Sequence, residues 1–352
     1  MKKYLFLLLA VLTGASAFSS CNKMQAVPAS GPNPDDLACL TVSIAGTDAE
    51  ISSKASSVTE HAGDKTASST QILIFDSAGN FIKSLAAAGS VTLSKGMVYT
   101  VAAVINGPSV SGNLSAVEST MASLAGNPYV MYGKSTANLT SASSASVTVS
   151  VISLASRVHL TSVRNNMAPA FGALTLKRVY LCNVVGGCQL DGTTASTWYN
   201  QYGRKALATK ITPNSLTGAV DPESPAAEST LASFSDQAVA AGSNYAPDSF
   251  FYTFPNPVKT AIPKNVASLT TWTDQATWIT VCGTVGGTLY YWTANIGAKL
   301  TAGLERNKSY DVSLTINNLG TSDPGTPVEE ATATVSVTVT PWAAGSEISE
   351  TI

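Results

Sequence analysis

Short runs of alternating apolar and polar residues recur along the chain, and they constrain its fold more than any other feature. The two clearest runs carry Leu40, Val42 and Ile44 near the start and Val335, Val337 and Val339 near the end. Successive side chains of a strand point to opposite faces, so each run predicts a β-strand with one buried face.

Turn residues separate these runs at short intervals. Residues 71–75 are followed by Asp76–Asn80 and then by Phe81 and Ile82, which predicts a hairpin whose Gly79 can adopt a positive φ. One segment does not follow the two-residue period. Its apolar residues lie at helical spacing and predict a short helix in a connection: Leu114, Val117, Met121 and Leu124. Many short strands separated by turns favour a β-sandwich over an α/β fold.

The strand pattern restarts after Arg157, so we expect two halves that meet near residue 155. The predicted domains are an N-terminal β-sandwich over residues 55–155 and a C-terminal β-sandwich over residues 156–352. Residues 192–244 show little periodicity, and the sequence predicts loops there.

The first twenty residues have the features of a secretory signal peptide. Lys2 and Lys3 precede a short apolar core, and small residues lead to Cys21. A cysteine at this point predicts a lipobox, in which Cys21 becomes the acylated first residue of the mature protein. The alternative is an ordinary secretory signal with an incidental cysteine. Residues 22–36 are rich in Pro, Ser, Gly, Asn and Asp and predict a tether.

The weakly charged composition argues against a nucleic-acid partner. Only 12% of residues are charged, against about 25% in an average globular domain. A formal net charge of −2 provides no basic surface for phosphates.

We expect a protein that is not an enzyme and that needs no cofactor. His61 and His159 occur in unrelated sequence contexts, without a nucleophile or carboxylate at a telling spacing. The ligand spacings of metal sites are missing from the sequence, so no metal site is predicted. The aromatic pairs Phe250–Phe251 and Tyr290–Tyr291 suit the core better than a sugar platform.

The cysteines leave alternatives open. Cys182 and Cys188 are separated by five residues and can form a disulfide after export, or they can be buried thiols like Cys282.

Several segments together resemble one family, the fimbrillins, which are the lipoprotein precursors of type V pilins. The segments are Cys21–Lys23, Ile72–Asp76 with Gly79, Tyr99–Asn106, Leu304–Val312, Leu319–Gly320 and the closing strand with Trp342. The resemblance covers most of the mature chain. It implies an all-β fold of two tandem transthyretin-like β-sandwich domains, with short helices in the connections.

The resemblance also implies a life cycle. Fimbrillins are exported as monomers anchored in the outer membrane by an N-terminal lipid such as palmitate. A maturation protease of trypsin-like specificity then removes the N-terminal segment with its first strand. A strand from a neighbouring subunit fills the groove, and repetition of this donor-strand exchange builds an extracellular fimbria that serves adhesion.

Mapped onto this chain, the mechanism assigns Leu40, Val42 and Ile44 to the removable first strand and Val335, Val337 and Val339 to the donor strand. The alternative for the second group is an edge strand within its own sheet. Lys54 is the one Lys or Arg between Met24 and Asp64, so the cut is predicted at Lys54–Ala55, and residues 21–54 would leave. The best-known family pattern has Arg at the cut. Cys39 would leave too, so it should not be cross-linked to the body.

The predicted partners are further copies of this chain and related pilus subunits, with surface ligands on host or bacterial cells. The competing hypothesis is a lipid-anchored surface protein that never polymerises, such as a tip or anchor subunit or a glycan-binding module.

Overall fold

The computed structural model describes residues 34–46, 61, 64, 66–194, 197–200, 231–259, 275–322, 328, 332–341 and 350–351. The first half contains β1 (Leu37–Ala45), β2 (Thr70–Phe75), β3 (Phe81–Leu85), β4 (Gly89–Ser94), β5 (Val98–Ile105), β6 (Met121–Ser123), β7 (Met131–Asn138), β8 (Ser144–Ser150) and β9 (Ile152–Ser153). Helix α1 (Leu114–Glu118) lies between β5 and β6.

The second half contains β10 (Ser156–Asn165), β11 (Leu174–Cys182), β12 (Val184–Val185), β13 (Gly187–Gln189), β14 (Trp198–Tyr199), β15 (Leu231–Val239), β16 (Asn244–Tyr245), β17 (Ser249–Thr253), β18 (Trp278–Val285), β19 (Thr288–Asn295), β20 (Lys308–Ile316), β21 (Ala333–Pro341) and β22 (Glu350–Thr351). Turns of 3-10 helix cover Pro34–Asp36, Pro169–Phe171 and Gly297–Lys299. The predicted all-β fold is confirmed.

The first half is a sandwich of two sheets. Sheet I has the strand order β4-β1-β8, and sheet II has the order β3-β2-β5-β7-β9. Their facing sides share a cluster of buried side chains that includes Leu40, Ile72, Val91, Val101 and Val149. The alternation of apolar residues along each strand produces this core, because every second side chain faces the opposite sheet.

The second half repeats the arrangement around its own first strand. Sheet III runs β16-β10-β20-β21-β22, with β17 also on β10, and sheet IV runs β15-β11-β18-β19. In both halves the first strand is internal, with an antiparallel neighbour on one side and a parallel neighbour on the other.

A larger core joins the halves. It contains Leu73, Phe75, Ala102 and Val104 from the outer face of sheet II, together with the interior of the second half. In addition, β6 of the first half pairs with β13 of the second. The predicted boundary at residue 155 falls between β9 and β10, and the division into two domains stays a prediction.

Two local expectations differ from the structure. Helix α1 ends at Glu118, and Met121 begins β6 instead of continuing the helix. The hydroxyl groups of Ser119 and Thr120 bond back to the carbonyl of Ala116, at 3.1 and 2.9 Å, where the helix stops. Within residues 192–244, which were expected to be loops, β15 adds a full strand to sheet IV.

Candidate functional site: the first strand and its groove

Strand β1 lies in the middle of sheet I, between two partners that come much later in the chain. Leu37–Val42 pair antiparallel with β4, and Cys39–Ala45 pair parallel with β8. Parallel pairing needs a long crossover, which residues between β1 and β8 provide. In sheet I, β4 and β8 do not pair with each other. Strand β1 lies between them and pairs with both.

The buried face of β1 is apolar along its length. Ala38, Leu40 and Val42 are at most 2% exposed and lie in the core between sheets I and II. Ile44 is half-buried and packs against the same core. The structure thus places all three predicted first-strand residues on the inward face. Each fully buried aliphatic side chain contributes about 1.5–3 kcal/mol.

The outward face of β1 is polar and is bonded to both neighbours. The hydroxyl oxygens of Thr41 and Ser90 lie 3.0 Å apart across the β1–β4 pair. The hydroxyl oxygens of Ser43 and Thr148 lie 2.9 Å apart across the β1–β8 pair. These pairs are exposed, so they fix the register more than they stabilise the fold.

The strand leaves the sheet at a position that only glycine suits. Gly46 has a φ of +100°, and a Cβ atom there would lie 2.3 Å from the carbonyl oxygen of Val151. The amide of Val151 in turn donates to the carbonyl of Ala45 at 2.9 Å. The end of β1 is thereby defined sharply at Gly46.

If β1 were absent, the inner edges of β4 and β8 would both lose their ladder partners. The result would be a groove one strand wide, with backbone donors and acceptors on both walls and an apolar floor. Such an edge pair is a template for an added strand from another chain.

The predicted donor strand lies in β21, far from this groove in the topology. Its nine residues pair antiparallel with β20, while β22 pairs only with Thr338 and Val339 on the other side. Val337 is 2% exposed, and Val335 and Val339 pack partly buried against the larger core. In this conformation the three valines belong to the core of their own molecule.

The cysteines of the second half do not cross-link. Cys182, Cys188 and Cys282 are buried and form no disulfide. Of the two alternatives for Cys182 and Cys188, the structure therefore has the buried thiols. Burial raises the pKa of Cys182 and of Cys188 to about 12, which keeps them protonated and unreactive. Cys39 is disulfide-bonded, and none of these three cysteines is its partner.

The two histidines lie together, although their sequence contexts are unrelated. The rings of His61 and His159 stack on the ring of Phe250, with centroids 4.5 and 4.3 Å away. Nothing in the sequence signals this contact, because the three residues come from separate segments. Phe251 is fully buried, and Phe250 is partly buried against the same core.

A surface depression beside β7 presents a mixed set of charges. Its lining includes Glu118, Tyr132, Lys134, Asp191 and Arg306. The Tyr132 hydroxyl donates to Glu118 at 3.0 Å, and Arg306 donates to the Asp191 carbonyl at 3.0 Å. These groups already satisfy one another, which makes the depression a weaker candidate for ligand binding than the groove.

Among the described residues, no group of three or more His, Cys, Asp or Glu side chains is placed to hold a metal ion. In the same part of the chain, no helix has the length and apolar character needed to cross a membrane. Cys21, Lys54, Ala55 and Trp342 lie outside the described residues.

Solved structures share this architecture. A candidate cell adhesion protein from Parabacteroides distasonis superimposes with a TM-score of 0.58 at 14% identity, covering 87% of this chain and 99% of that one. A second, from Bacteroides eggerthii, gives 0.55 at 20% identity, covering 87% and 96%. A fimbrilin from Porphyromonas gingivalis gives 0.50 at 16% identity, covering 88% and 98%.

The chain has the fimbrilin fold. No known protein-family profile matches the chain, and no curated protein matches it in sequence. At these identities the likeness shows the fold alone. Within the fimbrilin fold, the internal first strand is the feature that a functional proposal has to explain.

Proposed function

We propose that this chain is a structural subunit of a bacterial surface pilus, assembled by exchange of its first strand. The observation that carries the proposal is the position of β1. It is the first strand of the described residues, yet it fills the middle of sheet I with an apolar face and a ladder on each side. The shared fold with a fimbrilin and with candidate adhesion proteins supports the same function.

In this proposal the chain is exported, acylated at Cys21 and held at the outer membrane. A protease then cuts at Lys54–Ala55, beyond the end of β1. While β1 remains covalently attached, its effective concentration at the groove is on the order of millimolar. A strand from another subunit competes only after the cut has removed that advantage.

Strand β21 is the proposed donor, and its donation has a structural requirement. The strand must leave a nine-residue ladder with β20 and withdraw Val337 from the larger core before it can enter another subunit. Its three valines have the same spacing as Leu40, Val42 and Ile44. The burial free energy lost when they leave their own core is therefore largely regained when they enter the groove of another subunit.

The competing function is a surface binding protein that is cut or retained without polymerising. The full pairing of β21 within its own sheet is the observation that favours it. In that case β1 and β21 are both permanent parts of a monomer, and adhesion depends on the monomer's surface.

Two engineered disulfides separate these functions. Thr41→Cys with Ser90→Cys would fasten β1 to β4, and Ser313→Cys with Ser336→Cys would fasten β21 to β20, each at a register pair. The purified, unlipidated precursor is treated with limiting trypsin, and its products are followed on unheated gels and by electron microscopy. The single-cysteine variants and the reduced proteins are the matched controls.

Strand exchange predicts fibres from the wild type and from both reduced double variants. It also predicts that oxidation of the β1–β4 pair stops assembly. Oxidation of the β21–β20 pair stops it only if β21 is the donor. Monomers from every cut protein would instead establish the non-polymerising function.

A further inference from the structure

The segment between β1 and β2 is fastened to the second half by a buried ion pair. The carboxylate of Asp64 is 1% exposed and accepts hydrogen bonds from the guanidinium of Arg157 and the hydroxyl of Tyr252. Arg157 is fully buried on β10, and Tyr252 is on β17. A buried carboxylate bonded twice in this way is held firmly, because moving it would break two hydrogen bonds to a buried charge at once.

His61 adds a contact on the upstream side of this ion pair. Its Nδ1 lies 2.9 Å from the Tyr252 hydroxyl, and its ring stacks on Phe250. The amide of Asp64 donates to the His61 carbonyl at 3.1 Å, which closes a tight turn. His61 and Asp64 are therefore both attached to sheet III.

The side chain of Asn106 clamps the downstream side. Its Oδ1 accepts from the amides of Ser68 and Ser69, at 2.8 and 3.2 Å, and its Nδ2 donates to the carbonyl of Thr66 at 2.6 Å. Asn106 is 7% exposed and follows directly after β5 of sheet II. Asp64 and Thr66, which flank Lys65 in the sequence, are thus both anchored, and Lys65 itself lies outside the described residues.

A protease needs several consecutive residues in an extended conformation, so it cuts where the chain can be lifted from the body. Lys54 and Lys65 are the two lysines between β1 and β2, and this segment contains no arginine. We propose that the Asp64–Arg157–Tyr252 anchor and the Asn106 clamp are specificity determinants of maturation, which protect the bond after Lys65 and confine tryptic cleavage to Lys54. This inference rests on the proposed cleavage of the precursor.

The anchor also explains what would remain after the cut. The retained segment is bonded to sheet III through Arg157 and Tyr252 and to sheet II through Asn106. Cleavage at Lys54 leaves all of these bonds in place, so the two halves stay fastened while β1 becomes free to leave. A cut after Lys65 would instead separate Asp64 from the clamp.

The test maps tryptic cleavage in the full, unlipidated chain. In Lys54→Ala, the anchor predicts that cleavage between β1 and β2 slows by roughly tenfold or more, because the bond after Lys65 is reached only by local opening. Adding Asp64→Asn, which keeps the shape but removes the charge, should restore cleavage with a new N-terminus at Thr66. Lys54→Ala with Asn106→Ala should do the same if the clamp contributes.

Lys54→Ala with Leu176→Ala is the matched control, since it weakens the core of the second half without touching the anchor. It should remain resistant under conditions in which circular dichroism shows each variant folded. Rapid cleavage of Lys54→Ala after Lys65 would overturn the inference, as would resistance of both folded anchor variants. This experiment reads only the cleavage sites and not polymerisation. A failure of strand exchange therefore leaves its result unchanged, and a failure of the anchor alters it.

Discussion

His159 Nδ1 lies 3.0 Å from the carboxylate of Asp311, directly across the parallel pair of β10 and β20. Its Nε2 lies 2.8 Å from the more exposed carboxylate of Asp248. Burial of the ring lowers the pKa of His159, but the hydrogen bonds and charges of Asp311 and Asp248 outweigh it, so the net pKa lies above its ordinary value. Arg157 and His61 also contact the Phe250 ring on which His159 stacks.

The raised pKa predicts a pH-dependent contribution to stability. Protonated His159 is favoured in the folded state, so its contribution is complete below the unfolded pKa of about 6.5 and is lost as the pH rises through the higher folded value. The difference in free energy of unfolding between wild type and His159→Gln should therefore be largest near pH 5.5 and should shrink above neutrality. Urea denaturation across this range measures it. A difference that grows with pH would contradict the assignment.

Leu40→Ala should destabilise the uncut precursor by about 2–5 kcal/mol, because it opens a cavity between sheets I and II. Thr41→Ala, on the outer face of the same strand, is the control and should change stability by less than about 0.5 kcal/mol. Denaturant unfolding of the precursor measures both. Equal effects of the two substitutions would mean that β1 is not seated with Leu40 inward.

Arg157→Met should cost about 3–5 kcal/mol, since it leaves the buried Asp64 carboxylate without its cation. Arg157→Met with Asp64→Leu should recover much of that loss, because the buried charge is then removed together with its partner. A double-mutant cycle measured by thermal or urea unfolding gives the coupling. Additive effects of the two single substitutions would show that the ion pair is not formed.

Gly133→Ala should be strongly destabilising, although it lies in a strand where alanine is ordinarily harmless. A Cβ atom at Gly133 would lie 2.0 Å from the carbonyl oxygen of Ser150, where β7 and the end of β8 come closest. Gly89→Ala is the matched control, because the nearest atom to its Cβ would be 4.0 Å away. Melting temperatures of the two variants measure the contrast, and a small effect at Gly133 would contradict this close approach.

Acylation at Cys21 can be tested by mass spectrometry of protein extracted from membranes of the producing cell. The expected result is an N-terminal peptide that begins at Cys21 and carries a diacylglyceryl thioether. Cys21→Ser should abolish that mass and release the protein from the membrane. A thioether sulfur has no thiol to oxidise, so a Cys21 sulfur found in a disulfide would contradict acylation. The disulfide of Cys39 in the structure makes this the competing outcome to look for.

Strand existence could be predicted from local sequence wherever the alternation was regular. Both β1 and β21 were found in this way, since the two-residue period of side chains is a property of the strand alone. Strand β15 was not predicted from the sequence. Its ladder with β11 shifts register between Leu176 and Arg178, and Asp236 within it has a positive φ of 54°. These irregularities break the period that the sequence argument relies on.

The sequence by itself determined that the chain forms short strands with one apolar face, and that an N-terminal and a C-terminal strand have matching patterns. It could not determine which strands become neighbours: β1 pairs with β8 over 100 residues away, and Asp64 meets Arg157 across 93. A periodic pattern fixes only which face of a strand is buried. The choice of partners depends on how the sheets pack and on burying each charge beside its counter-charge. Only the tertiary structure decided those contacts, and they define both the groove and the anchor.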